Sequence, residues 1–140
     1  MLITRETDYA LRTLRTLSCG RKITQKEICE QEAIPAQFAY KLLKKLSNAG
    51  ILQITRGADG GYELKADLRQ LTLYDLLTAM GENWRINACM DEGYACSWRA
   101  ENKGECSIHC HLRQLQEELD QQLKRYTVAQ LLEAPTKNVQ

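Results

Sequence analysis

Apolar positions along this chain recur at helical spacing, alternate briefly towards the end of its first half, and then return to helical spacing. Over residues 5–18, Tyr9, Ala10, Leu11, Leu14 and Leu17 fall on one stripe, which predicts an amphipathic helix ended by Cys19-Gly20. Thr24 with Glu27 three residues later predicts a capping box opening a short second helix over residues 25–31. Cys19 and Cys29 read here as small hydrophobes, Cys19 buried or half-buried and Cys29 in the core. Ala33-Ile34-Pro35 breaks the pattern. Pro35 suits a first helical position, and a third helix over residues 36–48 would bury Phe38, Leu42, Leu43 and Leu46 before ending at Ala49 and a left-handed cap at Gly50.

Residues 51–55 and 62–64 read as two short strands about the glycine-rich turn Arg56-Gly57-Ala58-Asp59-Gly60-Gly61. Two short helices across a tight turn, followed at once by a hairpin, make a winged helix-turn-helix. After a link over residues 67–71, Thr72 caps another short helix through Met80, and Gly81 closes it. A longer amphipathic helix over residues 109–126 carries Leu112, Leu115, Leu119, Leu123 and Tyr126 at three- and four-residue spacing. Thr127 caps a last turn or two through Leu132, and the chain from Ala134 onward reads as a frayed tail. The expected fold is mainly α. A winged helix-turn-helix DNA-binding domain with a small two-stranded wing occupies residues 1–65, and a cysteine-rich loop with a long C-terminal dimerisation helix occupies residues 66–140.

Composition changes this picture little: 44% hydrophobic and 26% charged residues in a chain of 140 are ordinary for a globular protein. No apolar run approaches the ~20 residues of a membrane span, and the start of the chain lacks a secretory signal's apolar core, so a cytoplasmic protein is expected. The net charge of +1 conceals an asymmetry: eleven Lys or Arg against seven Asp or Glu in residues 1–65, and eight against eleven thereafter. A basic front half suits a polyanion as partner. On the third helix Gln37, Tyr40 and Lys41 are candidate base contacts. Lys44, Lys45 and Arg56 are candidates for phosphates or a narrow minor groove, and Gly60 at the wing is counted with the DNA contacts. The long leucine stripe suits pairing with a second copy, because a palindrome is read by a two-fold dimer.

Candidate chemistry is concentrated in residues 89–110, CMDEGYACSWRAENKGECSIHC, which hold four of the six cysteines and one of the two histidines. Six residues separate Cys89 from Cys96 and nine separate Cys96 from Cys106, while His109 and Cys110 follow Cys106 within one helical turn. Thiolate and imidazole donors select zinc, copper(I) or iron-sulfur clusters over magnesium or calcium. Three uses remain open on the residues alone: a cluster, a closed tetrahedral zinc site, and a metal-free thiol switch at Cys106 and Cys110. Trp84 and Trp98 flank the loop and would shield it from water, and His111 points elsewhere on the helix as a solvated residue. No nucleophile-base pair, paired carboxylates or phosphate loop is present, so neither an enzyme nor a small-molecule substrate is expected.

The opening TDYALR, the helix and exit KLLKKLSNAGIL, the wing RGADGGYEL, the three-cysteine loop and the closing TVAQLLE together resemble the winged-helix iron-sulfur transcription regulators, the family that includes IscR and NsrR. The resemblance covers nearly the whole chain. It implies a homodimeric regulator, usually a repressor, whose cluster state sets its affinity for palindromic double-stranded DNA. Genes for cluster assembly or for iron and sulfur supply are the implied targets, and nitric-oxide sensing with a 4Fe-4S cluster is the alternative. By the same resemblance Cys89, Cys96 and Cys106 are cluster thiolates and His109 the fourth ligand to a 2Fe-2S cluster. Cys110 and Asp8 stay open as alternatives for that fourth position.

Overall fold

The computed structural model describes residues 1–134, so the tail expected from Ala134 lies, beyond that residue, outside the described part. Helices α1 (Arg5–Leu17), α2 (Gln25–Glu32) and α3 (Ala36–Asn48) are followed by strands β1 (Leu52–Thr55) and β2 (Gly61–Leu64). Helix α4 (Leu73–Met80) precedes the cysteine loop, which contains the short helix α5 (Ser97–Glu101); α6 (Ser107–Arg125) and α7 (Val128–Leu132) complete the fold. This is a mainly helical winged helix-turn-helix with a two-stranded antiparallel wing.

Local chemistry accounts for most of the boundaries. Thr24 with Glu27 and Thr72 with Asp75 each close a reciprocal capping box, so α2 and α4 start where the side chains satisfy the orphan amides. At the end of α3, Gly50 takes φ +76, the Gly50 amide bonds Ser47 and the Ile51 amide bonds Leu46, a two-bond Schellman closure. That closure turns the chain straight from α3 into the wing. Pro35 takes the N-cap position and not the first helical one.

Three expectations about burial are corrected. On α3 the core positions are Ala39, Leu42, Leu43 and Leu46, while Phe38 is 43% exposed. Position 38 lies a quarter-turn off that stripe, and its ring meets Tyr9 at 6.0 Å near the surface. Cys19 is exposed because it follows the last turn of α1, where Gly20 takes φ +80 and carries the chain outward. Cys29 is half-buried at the edge of the core and not inside it.

One hydrophobic cluster holds the molecule together, and it continues across residue 65: Tyr9, Leu14, Ile28, Leu42 and Leu52 pack with Leu68, Leu76, Met80 and Val128. Backbone bonds from Leu73 to Tyr126, Val128 to Leu71 and Ala129 to Leu68 fasten the α6–α7 junction and the start of α7 to the segment that leads into α4. The wing pairs Leu52 with Leu64 and Thr55 with Gly61, and Ile23 exchanges two backbone bonds with Tyr62, which pins the hairpin to the domain body. A Cβ added at Gly60 would lie 2.5 Å from the Thr55 carbonyl oxygen and 2.8 Å from that of Gly57. Gly60→Ala is therefore expected to cost about 1–3 kcal/mol, the usual range for forced overpacking. Urea unfolding checks this, and an unchanged midpoint would contradict the close approach.

Candidate functional site

The DNA-reading face expected from the sequence is presented to solvent as one surface. Gln37, Tyr40, Lys41 and Lys44 are all exposed at i, i+3, i+4 and i+7 of α3, opposite the buried stripe of Ala39, Leu42, Leu43 and Leu46. Arg56 is exposed at the wing. Among the described residues none of Lys41, Lys44 or Arg56 enters an ion pair. Lys45 is placed differently: its ammonium donates to Glu6 Oε2 and to the Met80 carbonyl, each at 2.9 Å. It lies between the core stripe and the solvent face, and its charge is engaged inside the molecule. Gly60 is explained by the tight wing turn described above.

Cys89, Cys96, Cys106 and His109 line a single cavity of about 460 Å³, together with Tyr94 and Trp98. Cys89 lies on the short turn Ala88–Met90, where Asn87 Oδ1 accepts from its amide. Cys96 precedes α5 and Cys106 is the N-cap of α6, its sulfur accepting from the His109 amide at 3.5 Å. The helix therefore begins at Ser107, two residues earlier than its leucine periodicity predicts, and Tyr126 falls outside it. Amides at a helix N-terminus are donors that complement a negatively charged, metal-bound sulfur.

Whether these residues suit a soft metal group is testable on their own surroundings. The Nδ1 of His109 is buried and has no hydrogen-bond partner. Buried polar atoms are rarely left so, and a metal centre at the cavity is the kind of partner that would satisfy it. Donor type and this orphaned nitrogen fit. The donors stand round the cavity without closing on a common point; among the described residues no group of three Cys, His, Asp or Glu is drawn tight enough to hold a single metal ion. Cys110 and Asp8 do not line the cavity. Asp8 pairs with Arg12 at 2.8 Å on α1. Cys29 is separate as well: burial, then the neighbouring Glu30, pushes its thiol above the ordinary range, as for an inert structural cysteine.

Trp98 lines the cavity as expected, whereas Trp84 does not. The Trp84 indole donates to Asp120 Oδ1 at 2.8 Å and its ring meets Tyr74 edge-on at 5.0 Å. Gln116, buried at 4% exposure, donates to Asp120 and accepts the Ile86 amide, both at 2.9 Å. Trp84, Asp120 and Gln116 thus fasten the entry of the cysteine loop to α6. Sequence reading missed Gln116 and Asp120; the only signal was a polar pair at i, i+4 beside the leucine stripe.

A family model described as "Rrf2: Iron-dependent Transcriptional regulator" matches residues 3–134. The chain is 29% identical to the HTH-type transcriptional repressor NsrR of Streptomyces coelicolor, over 97% of this chain and 91% of that protein. It is 26% identical to the HTH-type transcriptional regulator IscR of Vibrio campbellii, over 76% of this chain and 60% of that one. Among solved structures it is similar in fold to CymR, the global cysteine regulator of B. subtilis, at TM-score 0.65 and 20% identity over 94% and 96% of the two chains. Among the described residues no helix is long and apolar enough to cross a membrane. These relatives are regulators of transcription and not enzymes, and this chain belongs to the Rrf2 family of DNA-binding, winged-helix transcriptional regulators.

Proposed function

We propose that this protein is a cytoplasmic, homodimeric repressor that binds palindromic operator DNA and whose affinity is set by an iron-sulfur cluster, 2Fe-2S in preference to 4Fe-4S. The observation that carries this reading is the gathering of Cys89, Cys96, Cys106 and His109 on one cavity, with the His109 Nδ1 unpaired. The similarity to a protein named a repressor, NsrR, supports the sign of the regulation. The regulated genes are those of cluster assembly or iron and sulfur homeostasis.

In this reading Cys89, Cys96 and Cys106 hold the cluster as thiolates and His109 through an imidazole nitrogen, with Cys110 or a partner's carboxylate at position 8 as the alternatives. When bound, the cluster supplies a redox- and oxidant-sensitive centre, and histidine in place of a fourth thiolate raises its potential. The chain's own part is to hold the cysteine loop ordered. Without the cluster to hold, residues 89–110 would be freed, and the DNA-reading face would respond through the different stability of two conformations. Gln37, Tyr40 and Lys41 approach bases, while Lys44 and Arg56 meet phosphates or a narrow minor groove. Lys45, held by Glu6 and Met80, has no place among these contacts.

Protein purified without oxygen tests the reading: visible absorbance with iron and acid-labile sulfide in the same fraction is expected. A colourless protein with one tightly held zinc would replace the cluster by a structural zinc site. Arg56→Ala tests the division of labour. It is expected to weaken duplex binding with little regard to sequence and to flatten the salt dependence by about one unit of slope, leaving the visible spectrum unchanged. Loss of colour in that variant would overturn the separation between wing and cluster.

A further inference from the structure

The first turn of α1 is held from both sides. On one side Thr4 Oγ1 and Thr7 Oγ1 both donate to Glu82 Oε1, Thr7 at 2.6 Å and wholly buried. Glu82 follows the αL residue Gly81 that ends α4, and it begins the segment leading into the cysteine loop. Its carboxylate sits at the N-terminus of α1, where the helix dipole favours negative charge. On the other side Glu6 Oε2 accepts from Lys45 in the last turn of α3, and the same ammonium takes the Met80 carbonyl at the C-terminal end of α4. The second oxygen of Glu6 is buried with no partner, and among the described residues Lys45 is the one ion-pair partner of that carboxylate.

Few links therefore separate the loop from the DNA-facing helix. The loop entry is gripped twice, by α6 through Trp84 and Asp120 and by α1 through Glu82. Any shift of that entry pulls on Thr4 and Thr7, and Glu6, which lies between them on the same turn, carries the load to Lys45. Lys45 lies on α3 immediately after Lys44 and four residues after Lys41, so a change in its tether rotates or frees the reading face itself. A part-buried, charge-assisted network of this kind has discrete bonded and broken arrangements rather than a soft continuum.

We infer that Glu82 and Lys45 are positioning residues, the two ends of a strut through the first turn of α1 by which the state of the cysteine loop reaches the recognition helix. The inference rests on the reading that α3 faces DNA and that the loop carries the regulated centre. It assigns Lys45 a role in place of the phosphate contact its sequence position suggested.

Hydrogen exchange on the full chain tests the strut without reference to any cofactor. Glu82→Ala is expected to speed exchange of the amides of residues 45–51 as well as those of residues 4–8, leaving α2 and the wing unchanged. Glu82→Gln, which keeps an acceptor oxygen for both hydroxyls, should restore the wild-type pattern. Lys45→Met should loosen residues 4–8 and 82–84 reciprocally; Lys45→Met combined with Glu6→Gln, which leaves no buried unpaired charge, serves should the single variant fold poorly. Exchange confined to residues 4–8 and 82–84 in Glu82→Ala, or a uniform rise across the core, overturns the strut.

The second measurement uses protein reconstituted with ferrous iron and sulfide, and the same protein stripped by chelator, on a duplex selected from a random library. Wild type should show a ratio of affinities within the roughly 5–150-fold range of allosteric coupling. In Glu82→Ala the ratio should fall to within about twofold of unity while the visible spectrum persists. A ratio retained in the variant counts against the strut. A ratio of one in wild type counts instead against cluster-dependent DNA binding, and the exchange result still decides the strut.

Discussion

Cys106→Ser is expected to leave purified protein without iron, inorganic sulfide or visible colour while its fold stays intact. Cys106 does two jobs: its sulfur lines the cavity, and it caps α6 by accepting the His109 amide. Serine is the better N-cap of the two and a poor ligand for a soft metal, so the substitution separates the jobs. Cys106→Ala removes both, and should lose the centre together with roughly 1 kcal/mol of stability from the uncapped helix. The loss of metal in either variant should exceed the roughly 10–100-fold that removal of an outer hydrogen-bond partner causes, since a ligand itself has gone. Cys19→Ser is the control, because that thiol is exposed on the turn after α1. Iron and sulfide assays with spectra of oxygen-free protein decide the matter. A Cys106→Ser protein with the wild-type spectrum would remove Cys106 from the ligand set. His109→Ala belongs in the same series: an altered spectrum is expected, and an identical one would pass the fourth position to Cys110 or Asp8.

That series depends on a site only half visible in the sequence. Residues that converge through short-range chemistry were legible. Thr24 with Glu27, Thr72 with Asp75 and Gly50 after α3 act within a few residues, and each set its boundary as the pattern implied. The hairpin and the exposed face of Gln37, Tyr40, Lys41 and Lys44 followed from the same local periods. Phe38 was misplaced because a large apolar side chain one position off the stripe looks like core by composition, and only the facing Ala39, Leu42 and Leu43 decide which position points inward. Cys106 was not foreseen as an N-cap because sulfur is a weak acceptor that cap statistics pass over. The bonds of Lys45 run to residues 39 and 35 positions away, and that of Trp84 to a carboxylate 36 positions away. Neither separation leaves any trace in a helical or strand period. Polar pairing across such distances is set by the fold and cannot be read before it.

Leu115→Glu is expected to give a folded monomer whose affinity for a palindromic duplex falls by a factor of about 10²–10⁴. On α6, Gln116 and Leu123 are the buried positions, and the helix packs on α4. Ile108 and Leu115 lie on a different stripe and remain 66% and 53% exposed, with Leu112 and Leu119 half-buried alongside and Tyr126, 53% exposed, just past the helix end. His111, Glu118, Gln122 and Arg125, all exposed, flank that stripe, so a second α6 could bury its apolar centre and leave a polar, charged rim. Position 115 lies near the middle of the stripe, where a carboxylate would be desolvated against its own symmetry mate, a like-charge contact as well as a burial cost. Two winged heads joined in this way bind a palindrome with the second head acting at high effective concentration; separated heads each bind alone. Sedimentation should show wild type as a dimer and Leu115→Glu as a monomer. On a duplex carrying only one half-site, the variant should lose far less than on the full palindrome, because the reading face on α3 is untouched. An equal loss on both duplexes would mean that the substitution had damaged the fold, and a dimeric Leu115→Glu would move the interface away from α6.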